Sequence, residues 1–177
     1  MREQARRLLW GGSALGAAAT LVALQRARVQ ERTRREADLS DVLEANERYY
    51  SGLNLTFEGD MSLIEEAWSH ADDVTFLDVF GGRHEGWAAV QAELVRIGRA
   101  TTGGEVHAED VRARTAGDFA YLVCREHGFL LQPTGTRVEV DHRATNVFRR
   151  EDGMWRMVHH HADLVPRLQQ AFGGAEE

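Results

Sequence analysis

Lysine is absent from this chain; all 21 of its basic residues are arginine. That excludes a Schiff-base lysine and the lysine of a phosphate-binding loop. Recognition of phosphate or carboxylate is left to arginine forks, histidine or backbone N–H groups. A single cysteine, Cys124, excludes an intrachain disulfide framework and a cysteine-based zinc cluster. Two prolines exclude a proline-rich linker. There is no glycine-rich dinucleotide fingerprint, no P-loop and no nucleophile elbow. Nor does any unit of 20–50 residues repeat. A formal net charge of -7 argues against nucleic acid as a partner. What is present is a chain of 177 residues that is 43% hydrophobic, enough for one packed domain and an appendage.

Charge marks the appendage. Residues 1–38 hold eight Arg against four acidic residues, whereas the rest of the chain is strongly acidic. Within them Leu8–Leu24 is uncharged but short, and it is diluted by Gly11, Gly12, Ser13, Gly16 and Thr20. Arginines flank it on both sides, so the positive-inside rule gives no orientation. Three readings stand side by side. One is a short membrane anchor through residues 8–24. The second is a secretory or twin-arginine signal at Arg6-Arg7. The third is an Ala-rich dispensable extension. Localisation is left open, with cytoplasmic or membrane-associated favoured over secreted. The domain division expected is 1–38 for this extension and 39–177 for the folded body.

The body begins with Leu39, Val42, Leu43, Asn46, Tyr49, Tyr50 and Leu53, spaced as one face of a helix with Ser40 or Asp38 as its cap. Ser62 and Glu65 have capping-box spacing for a second helix carrying Leu63, Ile64, Ala67 and Trp68. Val74–Phe80 reads as a short strand, and Gly86 opens a third helix through Trp87, Val90, Leu94 and Ile97. From Glu105 the period changes to two: strands at Glu105–Arg114, Phe119–Leu131, Arg137–Arg150 and Met154–Asp163, with a short helix in Leu164–Phe172. The expected class is α+β: a cone-shaped curved antiparallel sheet with three helices on its concave face, plus an N-terminal helical extension.

The stretches EGWAAVQAEL, GDFAYLVCRE and HRATNVFRREDGMWRMVHHHADLVP, in that order, resemble the nuclear transport factor 2-like superfamily. The nearest patterns are its SnoaL-like branch, with ketosteroid isomerase-like enzymes, and the association domain of calcium/calmodulin-dependent protein kinase. The resemblance covers Leu39–Pro166. It implies a conical α+β barrel, a dimer, and a pocket at the wide end. It implies no single function, since such folds serve isomerases, cyclases, dehydratases and non-catalytic assembly modules. In SnoaL-like enzymes it implies a pocket Asp–His constellation.

The residues themselves propose where chemistry would sit. In His159-His160-His161 the outer two share one strand face. A three-residue loop at 151–153 pairs Val147 with Met157, Thr145 with His159 and Arg143 with His161, giving an apolar base and a polar head. A two-residue loop would instead set Asn146 and His142 beside the histidine pair. In the first register Arg143 holds an anionic or carbonyl oxygen while His159 or His161 moves a proton. Asp78 and Glu126 are further candidate bases if they face an apolar cavity. Trp68, Phe80 and Tyr121 are candidate wall residues, with the Tyr121 hydroxyl free to donate. Cys124 reads as a buried, inert thiol. His159, His161 and Asp163 could together offer N/O ligands, but no distal ligand motif accompanies them, so neither a metal nor another cofactor is expected. The expected ligand is a small apolar molecule, or one bearing a carbonyl or carboxylate. The function these residues suggest is small-molecule binding with isomerase, cyclase or dehydratase chemistry. The alternative is a non-catalytic assembly or sensing module.

Overall fold

The computed structural model describes residues 4–172, with side chains from Thr20 onward. The chain divides into two compact units, Met1–Asp38 and Leu39–Glu177. The first unit is helical and belongs to α1 (Gln4–Thr56). Its described surface is held by one-turn ion pairs, Arg32 with Glu36 and Arg35 with Glu31. Such exposed pairs contribute little to stability. Among the described residues no helix is long and apolar enough to cross a membrane. The side chains of residues 6–19, those of Arg6-Arg7 included, lie outside what is described.

In the second unit, residues 39–56 of α1 bury Val42, Ala45, Asn46, Tyr49, Tyr50 and Leu53, the spacing of one helical face. Because α1 runs through residues 38–40, neither Asp38 nor Ser40 is a cap. Helix α2 (Ser62–Ala67) also starts differently from expectation. Ser62 forms no capping box with Glu65; its backbone N–H and hydroxyl both donate to Asp60 Oδ1. Strand β1 (Thr75–Leu77) is followed by a strand the sequence did not suggest, β2 (Arg83–Glu85). Helix α3 (Trp87–Ala100) buries Val90, Leu94 and Ile97. Then come β3 (Gly104–Ala116), β4 (Phe119–Leu131), β5 (Arg137–Glu151), β6 (Met154–Ala162) and α4 (Pro166–Phe172).

These strands make one curved, unclosed six-stranded sheet in the order β2-β1-β6-β5-β4-β3. It is antiparallel except where β1 runs parallel to β6, pairing Thr75 with His159 and Leu77 with His161. Inward residues alternate regularly. On β4 they are Ala120, Leu122, Cys124, Glu126 and Leu130; on β5 they are Val140, His142, Ala144, Asn146 and Phe148. Together with the helices these side chains form a single core.

The β5–β6 hairpin departs from the expected register in two ways. Its turn has two residues, Asp152 and Gly153, both at positive φ (51° and 82°), and Glu151 pairs with Met154. Two successive left-handed residues make the tight turn whose twist suits a hairpin. A β-bulge then interrupts the ladder between Val147 and Phe148: Phe148 pairs with Met157, but Val147 pairs with His159. Val158 is the extra residue, and one extra residue reverses which face each following side chain takes. Trp155 and Met157 therefore point inward before the bulge, and His160 and Ala162 after it.

Candidate functional site

The bulge decides which histidine is inside. His160 is 3% exposed, whereas His159 and His161 lie on the outer face. Arg143 is outside as well, with its side chain 84% exposed and its guanidinium 2.8 Å from Asp163 Oδ2. Thr145 pairs with His161 and Val147 with His159, so both share that outer face. Tyr121 is half exposed. The expected cluster of Arg143, Thr145, His159 and His161 does exist, but on the outside. Arg143, Thr145 and His161 line an open groove of about 480 Å³ with Asp110, Arg125 and Asp163. His159 accepts or donates at 2.6 Å with Thr75 Oγ1. The expectation that these groups and Tyr121 line an interior pocket is corrected by strand parity.

Inside the cone is a second cavity, of about 50 Å³ for water-sized spheres. That is room for a few waters or a very small ligand. Its walls include Tyr49, Phe76, Phe80 and Leu168, and its polar groups are Asp78, Glu126, His142 and His160. Of the residues expected from sequence, Asp78, Glu126 and Phe80 line it. Trp68 and Met157 are instead fully buried core residues, joined by a bridge between their backbones.

A continuous polar network backs one wall. Glu126 is 3% exposed and receives two hydrogen bonds. The Tyr50 hydroxyl donates to Oε1 at 2.8 Å, and His142 Nε2 stands 2.6 Å from Oε2. A carboxylate can only accept, so His142 donates from Nε2. Its other ring nitrogen, Nδ1, is buried and has no partner. Asn146 donates through Nδ2 to Asn46 Oδ1 at 2.9 Å and to the Tyr50 hydroxyl at 3.2 Å. Its Oδ1 is thereby left to accept from His160 Nδ1 at 2.7 Å.

These contacts set the protonation states. Burial pushes the Glu126 carboxyl up, but His160, His142 and Tyr50 together outweigh it and hold it below its ordinary range. It is therefore ionised at neutral pH. Burial lowers His160 to about 4, against the pull of Glu126, so that ring is neutral. The Tyr50 hydroxyl is pushed well up by burial and by Glu126, and keeps its proton. Burial raises the Cys124 thiol to about 11, so it is no nucleophile.

A second cluster involves Asp78. Its Oδ1 accepts from the backbone N–H groups of Phe80 (2.7 Å) and Gly82 (3.0 Å), while Oδ2 lies 2.8 Å from His84 Nε2. Glu93 Oε2 is 4.0 Å from the same nitrogen. Arg96 grips Glu93 with two hydrogen bonds, 2.6 and 2.8 Å. Three atoms, one each from Asp78, His84 and Glu93, lie within 4.8 Å of one another, a spacing suited to a metal ion.

The sequence reading missed His142, His160, His84 and Glu93. The two-residue-loop register placed His142 and Asn146 beside His159 and His161; in the structure Asn146 meets His160 instead and His142 meets Glu126. His84 lies on a three-residue strand, too short to show a period.

Comparison with known proteins fits this architecture. Residues 42–166 match the SnoaL-like domain family. No curated protein is a detectable relative in sequence. Among solved structures, a candidate dehydratase of the NTF2-like family from Streptomyces avermitilis is similar at TM-score 0.67 and 24% identity, covering 74% of this chain and 98% of that one. An NTF2-like protein from Salmonella enterica gives TM-score 0.66 at 16% identity, covering 72% and 91%. A candidate calcium/calmodulin-dependent protein kinase II association domain from Thiobacillus denitrificans gives TM-score 0.58 at 23% identity, covering 68% and 92%. At such identities the likeness is one of fold. With the family match spanning most of the chain and the cone in place, this protein belongs to the SnoaL-like domain family.

Proposed function

We propose that the cone cavity binds a small uncharged molecule bearing a carbonyl and moves a proton on it, with the Glu126–His142 pair as the acid/base group. The observation that carries this reading is the bare Nδ1 of His142. A buried imidazole whose Nε2–H is held by an ionised carboxylate presents a basic lone pair on its opposite side. A positioned base of this kind typically contributes about 10²–10⁴-fold to rate. The ligand class follows from charge. Asp78 and Glu126 line the cavity and no arginine does, so a carboxylate would enter against two negative groups with no cation to receive it. With Arg143 outside, the carbonyl is retained as the expected ligand chemistry and the carboxylate is dropped. The class of reaction is proton transfer next to a carbonyl, the step shared by isomerisation, cyclisation and dehydration through an enolate.

The test needs no knowledge of the natural substrate. Acetone, butanone and cyclopentanone in D₂O are followed by NMR for exchange of their α-hydrogens. Faster exchange with the protein than with buffer, lost in His142→Gln and in Glu126→Gln, supports the proposal. Equal rates for the protein and His142→Gln with every ketone would overturn it.

The assembly reading is favoured by one observation. Phe119 (50% exposed), Tyr121 (50%) and Val123 (40%) project from the outer face of β4. A second copy of this chain is the partner we propose for that face, and such a homodimer is compatible with a working cavity. Val123→Arg would then halve the mass measured by sedimentation; an unchanged mass would place the interface elsewhere.

A further inference from the structure

We propose that Asp78, His84 and Glu93 form a binding site for a divalent first-row transition ion of the zinc type. This stands apart from proton transfer at Glu126 and His142.

Four features carry it. The first is the donor set: one imidazole nitrogen and two carboxylate oxygens, with no thiolate, matching ions that accept mixed N/O ligands and leaving a fourth position open. The second is distance. Ligands at about 2.0–2.2 Å from a metal lie roughly 3–4 Å from one another, and His84 Nε2 is 2.8 Å from Asp78 Oδ2 and 4.0 Å from Glu93 Oε2.

The third is orientation from behind. Two backbone N–H groups hold Asp78 Oδ1 and so aim Oδ2 at His84. Arg96 holds both oxygens of Glu93, Nε on Oε2 at 2.8 Å and Nη2 on Oε1 at 2.6 Å, and is itself anchored on the carbonyl of Phe172 at 3.1 Å. Outer partners of this kind are what position metal-ligating carboxylates. The turn is built around the same space: a Cβ at Gly82 would collide with both Asp78 Oδ2 and His84 Nε2.

The fourth is charge. The Asp78 and Glu93 side chains are 3% and 8% exposed, and Arg96 neutralises only one of them. The remaining buried negative charge needs a cation. His84, with 22% of its side chain exposed, gives an ion a route from solvent. An ion would take the lone pair of His84 Nε2, with the ring hydrogen carried on Nδ1.

The test uses the full chain stripped with EDTA and titrated with Co²⁺, read by visible absorption, then competed with Zn²⁺. One equivalent is expected. Affinity falls by at least about tenfold in His84→Gln and Asp78→Asn, the range seen when metal-site groups are removed. It falls likewise in Gly82→Ala, which wedges the pair apart and leaves every ligand in place. It is unchanged in His159→Ala/His161→Ala, which removes the exposed outer pair. Far-UV circular dichroism confirms that each variant is folded. Two results overturn the proposal: no Co²⁺ binding by the wild-type chain, or binding that survives the His84 and Asp78 changes in folded protein.

Discussion

The Tyr50 hydroxyl joins three parts of the interior, so Tyr50→Phe tests the network most economically. The change keeps the ring that packs edge-on against Tyr49 at 5.0 Å and removes only the oxygen. It deletes the hydrogen bond to Glu126 Oε1 and an acceptor for Asn146 Nδ2. The second loss is softened because Nδ2 keeps Asn46 Oδ1. The first is a bond to a buried charge, worth about 1.5–3 kcal/mol. The expected destabilisation is therefore about 1.5–3 kcal/mol. Urea unfolding at pH 7, followed by tryptophan fluorescence, reads it directly. The pH dependence adds a second readout. Glu126 has a lowered folded pKa, so its contribution is complete above the unfolded value and is lost as pH falls through the folded one. Taking away one of the groups that lower it moves that loss to higher pH, so Tyr50→Phe begins acid unfolding earlier than wild type. A change under about 0.5 kcal/mol with an unshifted acid transition would refute the reasoning, because the hydroxyl would then not be serving Glu126.

Other outcomes follow from the same geometry. Stability declines as pH drops from about 6.5 toward 4, because the unfolded His160 takes up a proton that the buried ring refuses; His160→Asn flattens that slope, and an unaltered slope assigns it to other groups. Arg143→Ala and His161→Ala leave the urea midpoint nearly unchanged and ketone exchange intact, since both side chains are exposed and the Arg143–Asp163 ion pair lies in solvent. A loss of exchange in either variant would return chemistry to the outer face. Phe148→Ala, at a fully buried ring, costs about 3–5 kcal/mol in denaturant unfolding. A cost below about 1 kcal/mol would mean that the core closes over the gap.

The elements were legible wherever a period ran long enough to be read. Phe119–Leu131 alternates through thirteen residues and forms a strand with those ends. The face spacing of Val42, Asn46, Tyr49 and Leu53 likewise became a buried helix face. Legibility failed where an outcome depends on counting between strands. Nothing in Met157-Val158-His159 marks Val158 as the residue left over in the ladder, because a bulge is fixed by how two strands fit, not by either alone. The inward and outward faces of the last hairpin were therefore exchanged for the histidines and, through the shorter turn, for Arg143 and Thr145. Glu126 was legible as a strand carboxylate, yet its partners come from 76 residues upstream and 16 downstream, distances at which one sequence gives no spacing signal. Asp78 and His84 met across a turn that the glycines announced, but the strand carrying His84 was too brief to be seen.

The bulge in β6 has a consequence for how such a site could change. Three consecutive histidines present one imidazole to the interior and two to the exterior only because of a single unpaired residue. Regular alternation through the same residues, with Val158 taken into the ladder, would turn the triplet inside out, offering two imidazoles inward and one outward without altering any side chain. Deleting Val158 would not, because the ladder would close over the gap with His160 still inward. In this hairpin, the place where the ladder sets one residue aside governs interior chemistry as directly as residue identity does.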